Sequence, residues 1–350
     1  MALQSGIMPA FYSLPFIKMQ ATGNDLIFLD GEALLNSAAR PLLSQWPAIV
    51  PILSKLLCSR RFSIGADGLI LAMPLHIPEL ADLSKSWYGS MNKDCQIAWT
   101  YNNSDGSTSN MCGNGLRCLG LWANKEKDLE GRFKVATALG PLDINFQNEN
   151  NITVSLGAPR LRAGDIPFVS DQATSENVIN KQFKFADQQF SITCVNVGNP
   201  HCVIFEAGFL KPELFSNKFK SMSDGFFPEQ LKSIAGGIEI DHRFPERTNV
   251  EFVRVINRQH IEVLVWERGC GPTLSCGSGA MAAAVASILE NRTDKQVEVT
   301  LPGGTLFIDW SEENVIKMTG GASFSFRGQI DVPTKQLAAK APQTSKVGVL

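Results

Sequence analysis

Two short segments of this 350-residue chain are one motif used twice. A displacement of 164 residues lays Cys112-Gly113-Asn114-Gly115 on Cys276-Gly277-Ser278-Gly279. The same displacement lays Val135, Gly140, Leu142, Ile144 and Phe146 on Val299, Gly304, Leu306, Ile308 and Trp310. It also lays Ile97, Trp99 and Tyr101 on Ile261, Val263 and Val265. Three separated segments in one register indicate an internal duplication. A fourth match, Gly23-Asn24 against Gly198-Asn199, needs a displacement of 175, so the first half holds 11 extra residues. Residues 75–94, polar and interrupted by Pro78, are expected to hold them as a loop.

A duplicated chain folds as two halves of one design. Alternating apolar runs at 96–101, 134–146, 152–156, 249–256, 260–266, 297–310 and 315–326 predict strands, with a hairpin loop at Asn257-Arg258-Gln259. Each Cys-Gly-x-Gly is expected to open a helix. The second helix carries Ala280, Ala283, Ala284, Val285 and Ile288 and is apolar almost all round, as befits burial at a domain centre. The first, with Leu116, Leu119 and Trp122, is similar but less extreme. The expected class is α+β: two pseudo-symmetric domains, each a curved, mostly antiparallel sheet around a central helix. The division is placed at 1–155 plus 323–350 for the half carrying Cys112, and 156–322 for the half carrying Cys276. A pseudo-twofold axis would make the two cysteine turns face each other.

Composition excludes several partners. Net charge is −2, without a basic run, which disfavours nucleic acid and anionic membrane. The longest low-polarity run is too short to span a bilayer, and residues 1–15 do not read as a secretory signal. A cytoplasmic protein is therefore expected. None of the eight cysteines forms a Cys-x-x-Cys pair, and only four histidines are present, so no metal site is expected.

Two facing cysteines suit one chemistry well. Inverting an amino-acid α-carbon needs a base on one face and an acid on the other. A thiolate and a thiol related by a twofold axis can exchange those roles with the direction of reaction. A cysteine at a helix N-terminus meets free N–H groups and the positive dipole end, which is expected to lower its pKa. Those N–H groups can also hold a carboxylate. No phosphate-loop or dinucleotide motif is present, and no lysine stands out for a Schiff base, so no cofactor is expected. The reading is a cofactor-independent amino-acid epimerase. A ligand-binding module lined by inert cysteines and a thiol-redox protein are the alternatives. Cys58, Cys118, Cys194 and Cys202 read as packing residues.

Further motifs resemble diaminopimelate epimerases. They are Thr22-Gly23-Asn24-Asp25, Ile64-Gly65-Ala66-Asp67-Gly68, Asn103-Ser104-Asp105-Gly106-Ser107, Met111 through Cys118, Gly198 through Cys202, Pro245 through Asn249, and Glu267 through Gly279. The resemblance spans residues 16–330. It implies interconversion of LL- and meso-diaminopimelate without pyridoxal phosphate, in lysine and peptidoglycan synthesis, by a protein that is often a homodimer. By position it implies that Cys112 and Cys276 are catalytic and that Asn24, Asn103, Asn199 and Asn249 bind substrate. Gly113-Asn114 and Gly277-Ser278 would hold the reacting carboxylate through main-chain N–H groups. Glu267 and Arg268 would also contact substrate, and His201 and Glu267 would tune the thiols. Asn102 reads as a turn former. Three positions depart from the pattern: Gly68 where some members have glutamine, Pro272 where Glu is common, and Cys270, six residues before Cys276. The tail, 331–350, is expected to be loose. A related proline or hydroxyproline racemase is the runner-up.

Overall fold

The computed structural model describes residues 9–89, 94–109, 111–170, 174–205, 227–312 and 315–338. In the first half, β1 (Phe11–Ala21), β2 (Asn24–Asp30), β3 (Gly68–Pro74), β4 (Ile97–Asn103), β5 (Gly131–Thr137), β6 (Gly140–Asn148) and β7 (Asn151–Leu156) pair in chain order. In the second half, β8 (Lys181–Phe185), β9 (Gln188–Asn196), β10 (Pro200–Phe205), β11 (Asn249–Asn257) and β12 (His260–Glu267) pair in order. They continue through β14 (Gln296–Leu301), β15 (Gly304–Glu312) and β16 (Val315–Gly320), while the short β13 (Gly271–Thr273) returns along β12.

Most pairs are antiparallel. Parallel pairs fall where a helical segment intervenes, because only a crossover brings a chain back in the same direction. The segments α1 (Gly31–Leu35), α2 (Pro41–Ser44) and α3 (Trp46–Leu57) separate β2 from its parallel neighbour β3. Helix α5 (Gly113–Lys127) links the parallel strands β4 and β5. Helix α6 (Glu229–Glu239) lies between β10 and β11, and α7 (Gly277–Leu289) between β12 and β14, again parallel pairs.

The register makes the duplication quantitative. Ile97 faces Val135, as Ile261 faces Val299. Val135 faces Leu142, as Val299 faces Leu306. Strand β16 pairs with β7, and Met318 faces Val154, its own counterpart 164 residues earlier. The pseudo-twofold axis therefore passes through that pair. Beside it, the cross-strand hydroxyls of Thr153 and Thr319 lie 2.8 Å apart. One apolar core runs through both halves and contains both central helices.

The expected α+β architecture holds, with each central helix enclosed by its sheet. Helix α7 buries Gly277 and an unbroken run from Gly279 to Ser287. Helix α5 buries Gly113 to Ala123 and leaves Lys125 and Lys127 toward its end. The hairpin turn is where it was expected, with Asn257 facing His260. Two readings change. Residues 75–94 hold a helix, α4 (Pro78–Tyr88), with Leu80 buried beneath it; residues 90–93 of that stretch lie outside the described residues. Pro78 is compatible with this helix because it occupies the first turn, where its missing N–H costs nothing. The tail is not wholly loose either. Strand β17 (Ser323–Pro333) pairs with β1 as far as Phe11–Pro333, and α8 (Thr334–Ala338) follows, with Val332 and Leu337 buried. Val332 and Leu337, with Ile330 against them, pack into an apolar cluster of the first half, which outweighs the polar composition of the tail. The remainder, 339–350, lies outside the described residues.

Cys58, Cys118, Cys194 and Cys202 are buried, as packing residues should be. This has a consequence for alkaline stability. Burial pushes the Cys118 thiol up to about 12, so the folded protein keeps a proton that the unfolded chain releases near pH 9. Stability is then fully present below pH 9 and is lost as pH rises toward 12, at up to about 1.4 kcal/mol per pH unit for such a thiol. Denaturant unfolding at pH 7 and pH 10 should give a lower free energy at pH 10. Equal values would contradict this.

Candidate active site

Each conserved-register cysteine caps a helix. Cys112 and Cys276 have extended backbones, and each sulfur accepts the N–H three residues on, from Gly115 and Gly279, at 3.3 Å in both cases. This is the N-cap geometry usually filled by Ser or Asp, here filled by sulfur. The two caps abut at the pseudo-axis. A side chain added at Gly113 would come within 4.0 Å of the Gly277 Cα. Asn114 donates from Nδ2 to the Ser275 carbonyl at 3.4 Å, across the seam. Two helix N-termini therefore converge on one place, with two sulfurs beside it.

The thiols share one electrostatic environment. The Cys276 sulfur lies 3.3 Å from the Ser278 hydroxyl, close to the Glu267 carboxylate whose charge acts on it. Cys112 has Asn24 Oδ1 at 4.0 Å and the Tyr101 hydroxyl as a hydrogen-bond partner, and the charge of Glu267 acts on both sulfurs. The expectation that the helix dipole would lower the thiol pKa is reversed. Desolvation pushes Cys112 up to about 11, against the Gly115 N–H and the Tyr101 hydroxyl. It raises Cys276 well above the usual range, with Glu267 adding to the effect. In a dry site the loss of water outweighs one N–H donor.

The sequence-predicted binding residues cluster by strand register. Asn24 and Asn199 begin β2 and directly precede β10. Asn103 faces Gly68, and the Val250–Trp266 pair brings Asn249 level with Glu267. Asn24 donates to Asp67 at 3.0 Å, and Asn103 to Ser107 at 2.9 Å. Glu267 accepts from Thr273 at 2.5 Å, so β13, with Pro272, clamps the carboxylate. Asn249 is 2% exposed, donates to the Pro200 carbonyl and accepts from the Arg268 N–H. It braces the loop rather than presenting a free amide. Arg268 is exposed and donates to the Glu246 carbonyl at 2.8 Å. Asn102 is not a turn residue: it is buried in β4 and donates to Thr108. Cys270 is an exposed free thiol in a turn, and Cys276 is free as well.

His201 is fully buried. Its Nδ1 meets Glu251 Oε1 at 2.7 Å and its Nε2 donates to Asn199 Oδ1 at 2.8 Å. Glu251 was missed in the sequence, although a lone carboxylate in the apolar strand β11 was a signal. Its Oε1 would lie 2.9 Å from a side chain at Gly279, so it sits directly beneath the Cys276 turn. Its Oε2 has no partner among the described residues. Burial raises its pKa against the pull of His201. Asp67 was also missed. It receives Asn24 and the Asp25 N–H and ion-pairs with Arg60. Despite burial, which opposes it, Arg60 and Lys18 hold Asp25 well below the carboxylate range. This network fixes the strand that carries Asn24.

Gly68 has a steric reason. A side chain there would strike the Tyr101 ring at 2.5 Å and the Asn102 carbonyl at 2.9 Å. Tyr101 fills the space that a longer residue at Gly68 would need. Gly68→Gln is expected to cost about 1–3 kcal/mol, the range for overpacking, and to lower the unfolding midpoint. An unchanged midpoint would show that Tyr101 yields freely.

Comparison with known proteins matches this picture. The family model described as diaminopimelate epimerase matches residues 16–162 and 193–325. The chain is 37% identical over 319 residues to a putative chloroplastic diaminopimelate epimerase of Oryza sativa subsp. indica, covering 90% of this chain and 79% of that one. It is 36% identical over 327 residues to diaminopimelate epimerase 1 of a Nostoc species, covering 91% and 100%. Among solved structures, a hydroxyproline epimerase from Agrobacterium vitis with bound trans-4-OH-L-proline superposes with a TM-score of 0.60 at 11% identity, covering 92% of this chain and 93% of that one. A probable proline racemase from Agrobacterium radiobacter gives 0.57 at 12%, covering 91% and 92%. The structural likenesses establish the shared fold. The family model and the sequence identities show that the chain belongs to the diaminopimelate epimerase family.

Proposed function

We propose that the protein interconverts LL- and meso-diaminopimelate, as an isomerase of lysine synthesis, by proton transfer between two thiols and the substrate α-carbon. The carrying observation is the pair of cysteine-capped helix N-termini that abut at the pseudo-axis. Geometry leaves the first N–H groups of each helix without intrahelical partners. Those of Gly113 and Asn114, with Gly277 and Ser278, form a double cradle for the α-carboxylate. That carboxylate carries the charge that grows as the α-carbon loses its proton, so fixed donors around it stabilise the carbanion. One sulfur, as thiolate, takes the proton from one face; the other, as thiol, delivers one to the opposite face. Reversal exchanges the roles. Pyridoxal phosphate has no part in this reading.

The distal amino-acid centre needs acceptors for an ammonium and donors for a carboxylate. Asn24, Asn103 and Asn199 supply amides at matching register positions, and Arg268, with its main chain fixed by Asn249, supplies a cation. His201 acts on the Cys276 side through Glu251. The division at 155/156 and 322/323 is supported by the pairing of β17 with β1. A reducing compartment such as the cytoplasm suits eight free thiols. Among the described residues no helix is long and apolar enough to cross a membrane. The homodimer implied by the family resemblance can be read by light scattering. The test of substrate is α-hydrogen exchange in deuterated water. Diaminopimelate should exchange and invert. Exchange of proline or hydroxyproline in its place would overturn the assignment.

A further inference from the structure

Arg117 lies inside α5 and is 0% exposed. Its guanidinium is a planar fork of N–H donors. Nη2 donates to Asn114 Oδ1 at 2.9 Å and to Thr22 Oγ1 at 3.0 Å. The Thr22 hydroxyl lies 2.7 Å from that of Ser275. Asn114 Nδ2 donates to the Ser275 carbonyl at 3.4 Å. These contacts close a ring that runs from Arg117 through Asn114, Ser275 and Thr22 back to Arg117. Arg117, Asn114 and Thr22 belong to the first half, and Ser275 to the second. Asn114 stands two residues after Cys112, and Ser275 directly precedes Cys276. The ring therefore ties one cysteine turn to the other.

Further contacts cross the same seam. Arg117 Nε donates to the Gly321 carbonyl at 3.3 Å, and Nη1 reaches the Met318 sulfur at 3.5 Å. Met318 is seated between the two turns, where a side chain added at Gly113 or at Gly277 would meet it. Thr22 holds a backbone φ of 49°, in the left-handed region that a β-branched residue rarely adopts. Such a conformation persists only where the surroundings over-determine it. Here the second half does so: a side chain at Gly303 would strike the Thr22 carbonyl, and one at Gly23 would meet Leu274 at 3.1 Å. The duplication does not require this ring. At the equivalent positions stand Val197 for Thr22, Met111 for Ser275, Met281 for Arg117 and Ser278 for Asn114. Met281 is part of the apolar core, and Met111 and Val197 pack against it. One side of the pseudo-axis is thus joined by a polar ring and the other by apolar contact.

We infer that this ring is a clasp, and that Arg117 is the positioning residue that uses it to hold the Cys276 turn in fixed register against the Cys112 turn. The inference rests on the two-thiol reading above and adds what keeps both sulfurs within reach of one carbon. Apolar contact has no direction, so an apolar seam tolerates sliding. A closed ring of buried hydrogen bonds does not shift without leaving a donor or acceptor unpaired. Removing the α-hydrogen uses one sulfur. Inversion needs both, in one geometry. Opening the clasp therefore costs inversion more than it costs exchange.

The test compares inversion of diaminopimelate with deuterium uptake into recovered substrate, in the full chain and in Arg117→Met, Thr22→Val and Ser275→Ala. The first two copy the second half, and the last two keep the shape of the side chain. Each should lower kcat for inversion by about ten- to a hundredfold, the scale of a small misplacement of reacting groups, and leave KM little changed. Deuterium should meanwhile enter recovered substrate without inversion, so that the ratio of exchange to inversion rises. The double variant Thr22→Val with Ser275→Ala should lose no more than the worse single variant, because both open one ring. A purely structural role would lower the unfolding temperature and reduce exchange and inversion together, with their ratio unmoved. The inference is overturned if that ratio stays at its original value in the folded variants, or if the losses in the double variant add. Should Arg117→Met not fold, the two shape-conserving variants decide. The two-thiol reading fails by a different result, inversion by a Cys112→Ala protein at the normal rate.

Discussion

Replacing Cys112 or Cys276 by alanine is expected to lower the rate of inversion by about 10²–10⁴-fold, the usual contribution of a positioned acid or base. The loss should be specific in kind. Each variant keeps one thiol on one face, so it can still exchange the α-hydrogen of the epimer whose hydrogen points at that sulfur. It cannot deliver a proton to the other face. Cys112→Ala and Cys276→Ala should therefore exchange opposite epimers with deuterated water, slowly and without inversion. A variant that had merely unfolded would exchange neither. If both variants inverted substrate at the normal rate, the cysteines would be lining residues of a binding module.

The second large effect concerns His201 and Glu251. At the equivalent register positions in the first half stand Leu26 and Ile70, and Ile70 lies beneath Gly115 as Glu251 lies beneath Gly279. The fold thus accepts an apolar pair at this depth. Removing one partner of the polar pair leaves a buried polar group without its hydrogen-bond partner. Glu251→Ile alone is expected to cost about 1–3 kcal/mol, the range for a buried group left unsatisfied. The double variant His201→Leu with Glu251→Ile should recover most of that stability, because it copies the first half. It should not recover activity, since Asn199 loses the ring that holds its amide. Denaturant unfolding of both variants reads this directly. Additive losses in the double variant would show that the pair is not the unit of stability here.

Much of this was legible in the sequence, and the reason is the duplication. Matching offsets identified the two caps, both central helices and the strands around them without reference to a fold. The insertion was harder. The offset is 181 between β3 and β11 but 164 between β4 and β12, so 17 residues enter around α4. The second half adds six of its own between β10 and β11, and the sequence shows only the net difference. What the sequence brought together was legible where a residue belongs to a motif, as at Cys112, Asn24 and Glu267, which the structure sets around one place. It was not legible where roles arise from packing across strands. Tyr101 looks like any strand aromatic until Gly68 is seen against its ring. Asp67 becomes the partner of Asn24 only when β2 and β3 lie side by side. The sign of the thiol shift was missed for a similar reason: a helix cap can be read from a motif, but the depth of burial around it cannot.

The account stands or falls on two groups acting on two faces. The direct measurement is the isotopic fate of the α-hydrogen during early conversion of LL-diaminopimelate in deuterated water. Two thiols predict that the meso product carries solvent deuterium at the inverted centre while recovered substrate stays almost unlabelled. Product that retains the original hydrogen at that centre would mean a single group carries the proton across, and would contradict the account.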